Sequence, residues 1–368
     1  MSESRKSLCD ISNPKQWPTL TLSKLNGGKY PVYGANGVIG FHSEYNHAEP
    51  TILIGCRGSC GQVTISCEKA YVNGNAMCLD GLSEEVNLQY LFYFLENYDF
   101  SKVITGTSQP QITRESLKKV LVPIKSESEQ LEIVKVLNQV TDLIAFRKQQ
   151  LEKLDELVKA RFVELFGDPE HNEKKWDVFK LDALCSVSSS KRIYQNELSV
   201  EGVPFLRISD LVNRMDTGST ECELYIPEER YEELKTLGLV PIAGDMLITA
   251  RGTLGRCYTL TENDRFYFQD GMITWLYDFD KSLTTNYLTH LFAMSGFRKQ
   301  IDSLQAGSTV AYLSISMTKK LNVMLPPLEL QNQFTAFVEQ TDKSKLAIQQ
   351  SLEQLKTLKK ALLQQYFG

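Results

Sequence analysis

Between Ser126 and Gly167 apolar residues return at alternating steps of four and three. They are Ile133, Leu137, Val140 and Ile144, then Leu151, Leu154, Val158 and Leu165. Arg147 and Arg161 fill the two positions of the series where an apolar residue is missing, and the stretch holds no proline and no internal glycine. This is the period of a helix packed along a coiled-coil seam. About 40 residues at 1.5 Å each make a rod of roughly 60 Å. That is too long for the core of a small domain, so the pattern predicts a partner helix.

The same rhythm runs from Glu329 to Phe367, through Phe334, Val338, Thr341, Lys345, Ile348, Leu352, Leu355, Lys359, Leu362 and Tyr366. The flanks match too. Val120-Leu121-Val122-Pro123 leads to Glu129-Gln130-Leu131, and Val323-Met324-Leu325-Pro326 leads to Asn332-Gln333-Phe334. Both stretches finish on Phe-Gly, at Phe166-Gly167 and Phe367-Gly368. Matched lead-in, length and finish predict an internal repeat of very long period.

Ahead of each predicted helix the pattern is shorter and more strand-like. Residues 1–14 read as a loose leader. Each half then opens on a tryptophan, Trp17 before the alternation Thr19 to Leu25 and Trp176 before Val178 to Leu184. Residues 26–37 are dense in turn formers. An apolar run, Thr51 to Ile54, meets Arg57-Gly58-Ser59-Cys60-Gly61, and Gln62 to Ile65 follows. In the second half Met246 to Thr249 meets Arg251-Gly252-Thr253-Leu254-Gly255, and Arg256 to Leu260 follows. The two arginines stand 194 apart and the two tryptophans 159 apart, which places 35 extra residues in the second half, roughly Lys191 to Glu233. Short helices are expected over Leu88 to Leu95 and Tyr287 to Met294. Two further segments correspond, Gly106-Thr107-Ser108-Gln109-Pro110-Gln111-Ile112 and Gly307-Ser308-Thr309-Val310-Ala311-Tyr312-Leu313.

Composition narrows the class. A chain of 368 residues, 42% hydrophobic, holds enough for two or three cored domains. It has no signal-peptide-like start and no membrane-spanning apolar run, so a cytoplasmic location is expected. The net charge of −5 is not that of a protein basic over its whole surface. Residues 1–125 carry 12 basic and 11 acidic side chains, and residues 168–326 carry 17 and 22. Any DNA binding therefore needs local positive charge, or charge supplied by a partner. The closest cysteines, Cys56, Cys60 and Cys67, lack zinc-ribbon spacing, and Cys9, Cys78, Cys185, Cys222 and Cys257 are isolated, so thiols in a reducing compartment and no metal are expected.

Catalytic signatures are missing from the sequence. There is no phosphate-cradling G-x-x-x-x-G-K-[ST], no H-E-x-x-H and no G-x-S-x-G. The Asn/Asp-Pro-Pro-aromatic tetrapeptide of adenine methylases is absent, and Asn13-Pro14-Lys15-Gln16 lacks its second proline and its aromatic. The arginine–glycine loops have two readings. Their glycines allow a tight turn between strands with the arginine merely packed, or they let Arg57 and Arg251 approach guanine or phosphate closely. Ser59, Thr253, Thr107, Ser108, Gln109, Ser308 and Thr309 are small or amide side chains of the kind that contact phosphates and adenine edges. A plain surface loop is the other reading for these.

Taken together, the plan resembles a type I restriction-modification specificity subunit. The residues that carry the likeness are Trp176 with its strand, Gly202-Val203-Pro204-Phe205-Leu206-Arg207-Ile208-Ser209-Asp210-Leu211, Gly244 to Ile248 with Arg251 to Gly255, and the helix lead-ins and Phe-Gly finishes. Tyr30-Pro31-Val32-Tyr33-Gly34-Ala35-Asn36-Gly37 and Gly74-Asn75-Ala76-Met77 give the first half the look of a different subclass of the same recognition domain. The resemblance implies an α+β chain with a pseudo-two-fold internal repeat: two mixed target-recognition domains, 1–125 and 168–326, separated by two long antiparallel coiled-coil helices, 126–167 and 327–368. It implies a non-catalytic subunit that binds double-stranded DNA at a bipartite site. Two methyltransferase subunits would carry S-adenosylmethionine, none of which this chain would bind, and restriction or translocase subunits could join them. Ile133, Leu137, Ile144, Leu151, Leu352, Leu355 and Leu362 would be the partner-binding residues. The alternatives are a type IIB-like specificity subunit, an enzyme with its own catalytic domain, and a helical scaffold with no DNA role.

Overall fold

The computed structural model describes residues 4–106, 109–305 and 311–368. The chain divides into two compact units. The first contains the residues up to Gln150 together with Ile348–Gly368, and the second is Leu151–Ala347.

In the first unit β1 (Ser4–Ser7), α1 (Leu8–Ile11) and β2 (Asn13–Gln16) come first. There follow β3 (Tyr30–Gly34), β4 (Gly37–His42), β5 (Ile52–Gly55), β6 (Val63–Ile65), β7 (Tyr71–Val72) and β8 (Ala76–Asp80). Then come α2 (Leu88–Asn97), α3 (Arg114–Leu117), β9 (Leu121–Ile124) and the long α4 (Glu127–Phe166). Three sheets form, ordered β1-β9, β4-β3-β7 and β2-β8-β5-β6. β5 reads apolar throughout because it is buried on both faces, which is what an unbroken aliphatic run in a central strand records.

The second unit builds the same three sheets: β10-β18, β13-β12-β16 and β11-β17-β14-β15. Its strands are β10 (Asp177–Lys180), β11 (Ser186–Ser188), β12 (Val203–Leu206), β13 (Tyr225–Ile226), β14 (Met246–Thr249), β15 (Cys257–Thr259), β16 (Tyr267–Phe268), β17 (Ile273–Tyr277) and β18 (Asn322–Leu325). Its helices are α5 (Ile208–Thr217), α6 (Glu228–Thr236), α7 (Thr285–Ala293), α8 (Ser295–Ser303), α9 (Ile315–Lys319) and the long α10 (Leu328–Phe367). The chain is therefore α+β, with one topology built twice and two 40-residue helices.

Each unit takes the opening of one long helix and the end of the other, so the two run antiparallel within it. In the first unit Ile133 and Leu137 of α4 share a core with Leu363 and Phe367 of α10. In the second, Val158, Phe162 and Phe166 share a core with Phe334 and Val338. The Phe-Gly finishes have a physical role here. Phe367 meets Tyr90 edge-on at 5.2 Å between ring centroids, and Phe166 meets Tyr287 at 4.8 Å. Gly167 follows with φ +81, a left-handed turn that ends α4 at little cost only for glycine.

The structure corrects four expectations. Residues 4–16 are not a loose leader: β1 pairs with β9, and Leu8 and Ile11 are buried. No strand forms over Thr19 to Leu25, where only a short 3₁₀ turn at Leu22–Lys24 lies. The two tryptophans are not counterparts either. The strand after Trp176 is β10, which pairs with β18 as β1 pairs with β9. Tyr33 and Leu206 hold matching registers in parallel pairs, and Ile52 and Met246, at the starts of β5 and β14, hold matching registers in antiparallel pairs. The path from Leu206 to Met246 is about twice as long as the path from Tyr33 to Ile52. The insertion therefore lies after β12, between Leu206 and Met246, instead of starting near Lys191, and it is shorter than the tryptophan spacing implied. It builds α5 and α6, which have no counterpart between β3 and β5 among the described residues.

The fourth correction concerns the helix lead-ins, which align two residues away from the sequence pairing. Gln130 is buried, accepts from the Asn87 N–H and donates to the carbonyls of Glu85 and Lys125. Its counterpart is Gln331, not Gln333. Gln331 is buried, accepts from the Thr284 N–H and donates to Ser282 and Pro326.

Candidate nucleic-acid interface

Each arginine–glycine loop joins two antiparallel strands, β5 to β6 and β14 to β15. The same two backbone hydrogen bonds close both. The Gly61 N–H donates to Gly55 and the Gly255 N–H to Thr249, while Gly55 donates to Gln62 and Thr249 to Arg256. Gly58 and Gly252 have φ of +74 and +67, and Gly61 and Gly255 of +86 and +70. The sequence Arg-Gly-(Ser/Thr)-x-Gly thus encodes a tight turn, with two left-handed positions that favour glycine. The turn reading of the glycines holds, and the arginines are not packed beneath it: Arg57 and Arg251 are exposed.

The second pair of segments comes to the same places. Arg57 forms an isolated antiparallel bridge with Gln111, and Arg251 forms one with Tyr312. One residue away, the Ile112 N–H donates to Cys56 at 3.1 Å, and the Leu313 N–H donates to Ala250 at 2.9 Å. The buried Ile112 and Leu313 anchor these segments in the cores. In each unit the arginine loop and the second loop therefore form one exposed edge.

Ser59, Gln109 and Thr253 lie on that edge, all three exposed. Thr107, Ser108, Ser308 and Thr309 lie outside the described residues. Two members were missed from the sequence as site residues, Gln111 and Tyr312. The Arg251 guanidinium lies 5.0 Å from the centre of the Tyr312 ring, a cation–π contact. The signal for both was the matched position within the corresponding segments.

Electrostatics sets Arg251 apart. The other arginines of the second unit are engaged: Arg192 with Asp270, Arg207 with Asp210 and Glu223, Arg214 with Asp264, Arg230 with Glu197 and Glu233, Arg256 with Asp216 and Arg265 with Glu228. Arg161 pairs with Glu164, and Arg298 donates to the Leu254 carbonyl. Among the described residues Arg251 meets no carboxylate, so its charge is available to an anion. The paired arginines explain how an acidic unit can still present one local cation. Arg57 likewise has no ion pair among the described residues.

The proposed partner-binding positions divide. Ile133, Leu137 and Leu352 are buried, the first two inside the first unit's own core, so they have no surface to offer another subunit. Ile144, Leu151, Leu355 and Leu362 are half-buried along the helices. The seam period located the inward stripe, while outward apolar side chains sit elsewhere, at Leu143, Phe146, Leu157, Val163, Leu346 and Leu358.

Comparison with known proteins agrees with this architecture. Residues 4–156 and 173–357 match the family described as the type I restriction modification DNA specificity domain. The chain belongs to that family. A putative type I restriction enzyme specificity subunit of Haemophilus influenzae is 28% identical over 385 residues, covering 97% of this chain and 93% of that one. The MjaIX type I restriction enzyme specificity subunit of Methanocaldococcus jannaschii is 26% identical, over 85% of this chain and 76% of its own. The crystal structure of a type I restriction-modification S subunit from M. genitalium shares the fold, with TM-score 0.61 at 17% identity over 100% of this chain and 96% of that one. No helix among the described residues is long and apolar enough to cross a membrane.

Proposed function

We propose that each unit reads one half of an interrupted DNA site as the specificity subunit of a type I restriction-modification complex. The observation that carries this is the repeated edge: an exposed arginine on a glycine turn, without an ion pair among the described residues, bridged to a second loop, in the same place on both units. A glycine turn lets the backbone come close to a groove, and a free guanidinium can take guanine or phosphate in a bidentate contact. Ser59, Thr253, Gln109, Thr107, Ser108, Ser308 and Thr309 would extend the contact along the same loops.

The chain acts without catalysis of its own in this reading, in the cytoplasm. Methyl transfer from S-adenosylmethionine belongs to two methyltransferase subunits, and restriction or translocase subunits join the same assembly. The two long helices set the spacing of the half-sites. A type IIB-like complex would use the same edges.

The test is competition binding by the complex reconstituted with its methyltransferase. Arg57→Ala and Arg251→Ala should each cost about 1–3 kcal/mol. Each loss should vanish when the half-site read by that unit is scrambled. Both variants binding like the parent would sink the assignment.

A further inference from the structure

Three side chains far apart in the sequence converge in the first unit. His47 Nε2 is 3.1 Å from Cys78 Sγ and 3.1 Å from Asp80 Oδ1, and Sγ is 2.9 Å from Oδ1. Cys78 is fully buried, while His47 and Asp80 are part-exposed. We propose that His47, Cys78 and Asp80 form a binding site for a zinc-class divalent cation.

The argument rests first on where the protons are. Asn46 is oriented by Val72, because its Nδ2 donates to the Val72 carbonyl and its Oδ1 accepts the Val72 N–H at 2.7 Å. The atom 2.8 Å from His47 Nδ1 is therefore an oxygen acceptor, and Nδ1 carries the proton. In the neutral ring Nε2 is then a bare lone pair, and it faces Asp80 Oδ1 and Cys78 Sγ. Three ligand atoms share a triangle in which only the thiol has a proton to give, and one proton serves one contact. A cation at the centre satisfies all three.

The surroundings hold each ligand as metal sites do. The other ring nitrogen of a metal-binding histidine is commonly held by an oxygen, and a ligating carboxylate by a donor. Here Asn46 holds Nδ1, and the Trp17 indole N–H donates to Asp80 Oδ2 at 3.1 Å, leaving Oδ1 for the site. The backbone is fixed as well, since His47 exchanges two hydrogen bonds with Ala70 and Cys78 pairs with Leu53 on the central strand. Nitrogen, sulfur and oxygen together suit zinc better than calcium or magnesium. Donor atoms on tetrahedral zinc stand about 3.3–3.6 Å apart, given bonds of roughly 2.0–2.3 Å. The triangle need open by about 0.2–0.7 Å, and a water can complete the shell beside the part-exposed His47 and Asp80.

The second unit solves the same place differently. Trp275 occupies the register slot of Cys78, opposite Leu247 as Cys78 is opposite Leu53, and donates its indole N–H to Asp245 at 2.9 Å. The metal therefore belongs to one unit only.

The test uses the full chain loaded with zinc or cobalt(II) and dialysed against metal-free buffer. One zinc should remain per chain, and the cobalt form should show a thiolate-to-cobalt charge-transfer band with the visible bands of a four-coordinate ion. Cys78→Ser should abolish the charge-transfer band, whereas Cys67→Ser, which changes an exposed thiol, should leave it intact. Trp17→Phe removes the indole donor and keeps an aromatic ring, though a smaller one, beside His47, and it should weaken zinc about 10–100-fold in a chelator competition. Its folding is checked by circular dichroism. A parent chain without retained zinc or a cobalt–thiolate band would overturn the proposal, leaving a hydrogen-bonded polar cluster. So would binding unchanged by both Cys78→Ser and Trp17→Phe.

Discussion

Two buried glutamines fix where the long helices begin. Gln130 and Gln331 each close a loop onto the start of a long helix by accepting from one backbone N–H and donating to two carbonyls. Truncation leaves buried backbone groups without partners, and a single such loss costs about 1–3 kcal/mol. Gln130→Ala and Gln331→Ala should therefore each lower stability by at least that amount in urea unfolding. Gln333→Ala, at the exposed position that the sequence pairing selected, should stay within about 0.5 kcal/mol of the parent. Equal losses at 331 and 333 would refute the structural register. The amide was legible as a repeated residue type, but not its position, because two glutamines two residues apart look alike until one of them is buried. The metal ligands were illegible for another reason. His47 and Cys78 are far apart in sequence, and only the pairing of the central strand and the bridge to Ala70 brings them together.

At the scale of elements, the long helices were the most legible part, since only a helix keeps a seam period facing one way over many turns. Of the seam, Ile133, Leu137, Val140 and Val158 are buried in α4, and Phe334, Val338, Thr341 and Leu352 in α10. Short strands were less legible. β1 reads Ser-Arg-Lys-Ser and carries no apolar alternation, so its strand identity comes from pairing with β9 and not from its own residues. A shift of anchor at the tryptophans then misplaced the insertion. The helices also carry a prediction about the DNA. The division between units falls at Gln150/Leu151 in α4 and Ala347/Ile348 in α10. Adding four residues at both points lengthens each helix by roughly 6 Å and nearly preserves the facing stripe, as one turn takes 3.6 residues. With base pairs rising about 3.4 Å, the spacer of the methylated site should grow by one or two base pairs while both half-sites stay the same. A methylome of cells carrying the insertion with the partner subunits reads this directly. An active methylase with an unchanged spacer would rule out helices that act as a ruler. Adding two residues would turn the stripe by about 200° and should break the packing.

At the scale of the whole molecule, repetition suggests where two like subunits would dock. Leu157 stands as far along α4 from its first residue, Glu127, as Leu358 stands along α10 from Leu328. They are 48% and 46% exposed, so the same outward leucine recurs on both helices. Leu157→Glu and Leu358→Glu should each reduce the bound methyltransferase from two copies to one, measured by native mass spectrometry, with little change in thermal stability. Retention of two copies by the double variant would exclude these positions. Phe367 has a different kind of consequence. It completes a core whose other buried members, apart from Leu363, all lie between Leu8 and Leu137. On the ribosome the first unit therefore waits, open along that seam, while the whole of the second is synthesised. Tyr90 and Phe94 of α2, which Phe367 meets edge-on at 5.2 and 5.8 Å, lack that cover until residues 348–368 emerge. A premature stop late in the message would disable the half of the protein encoded first.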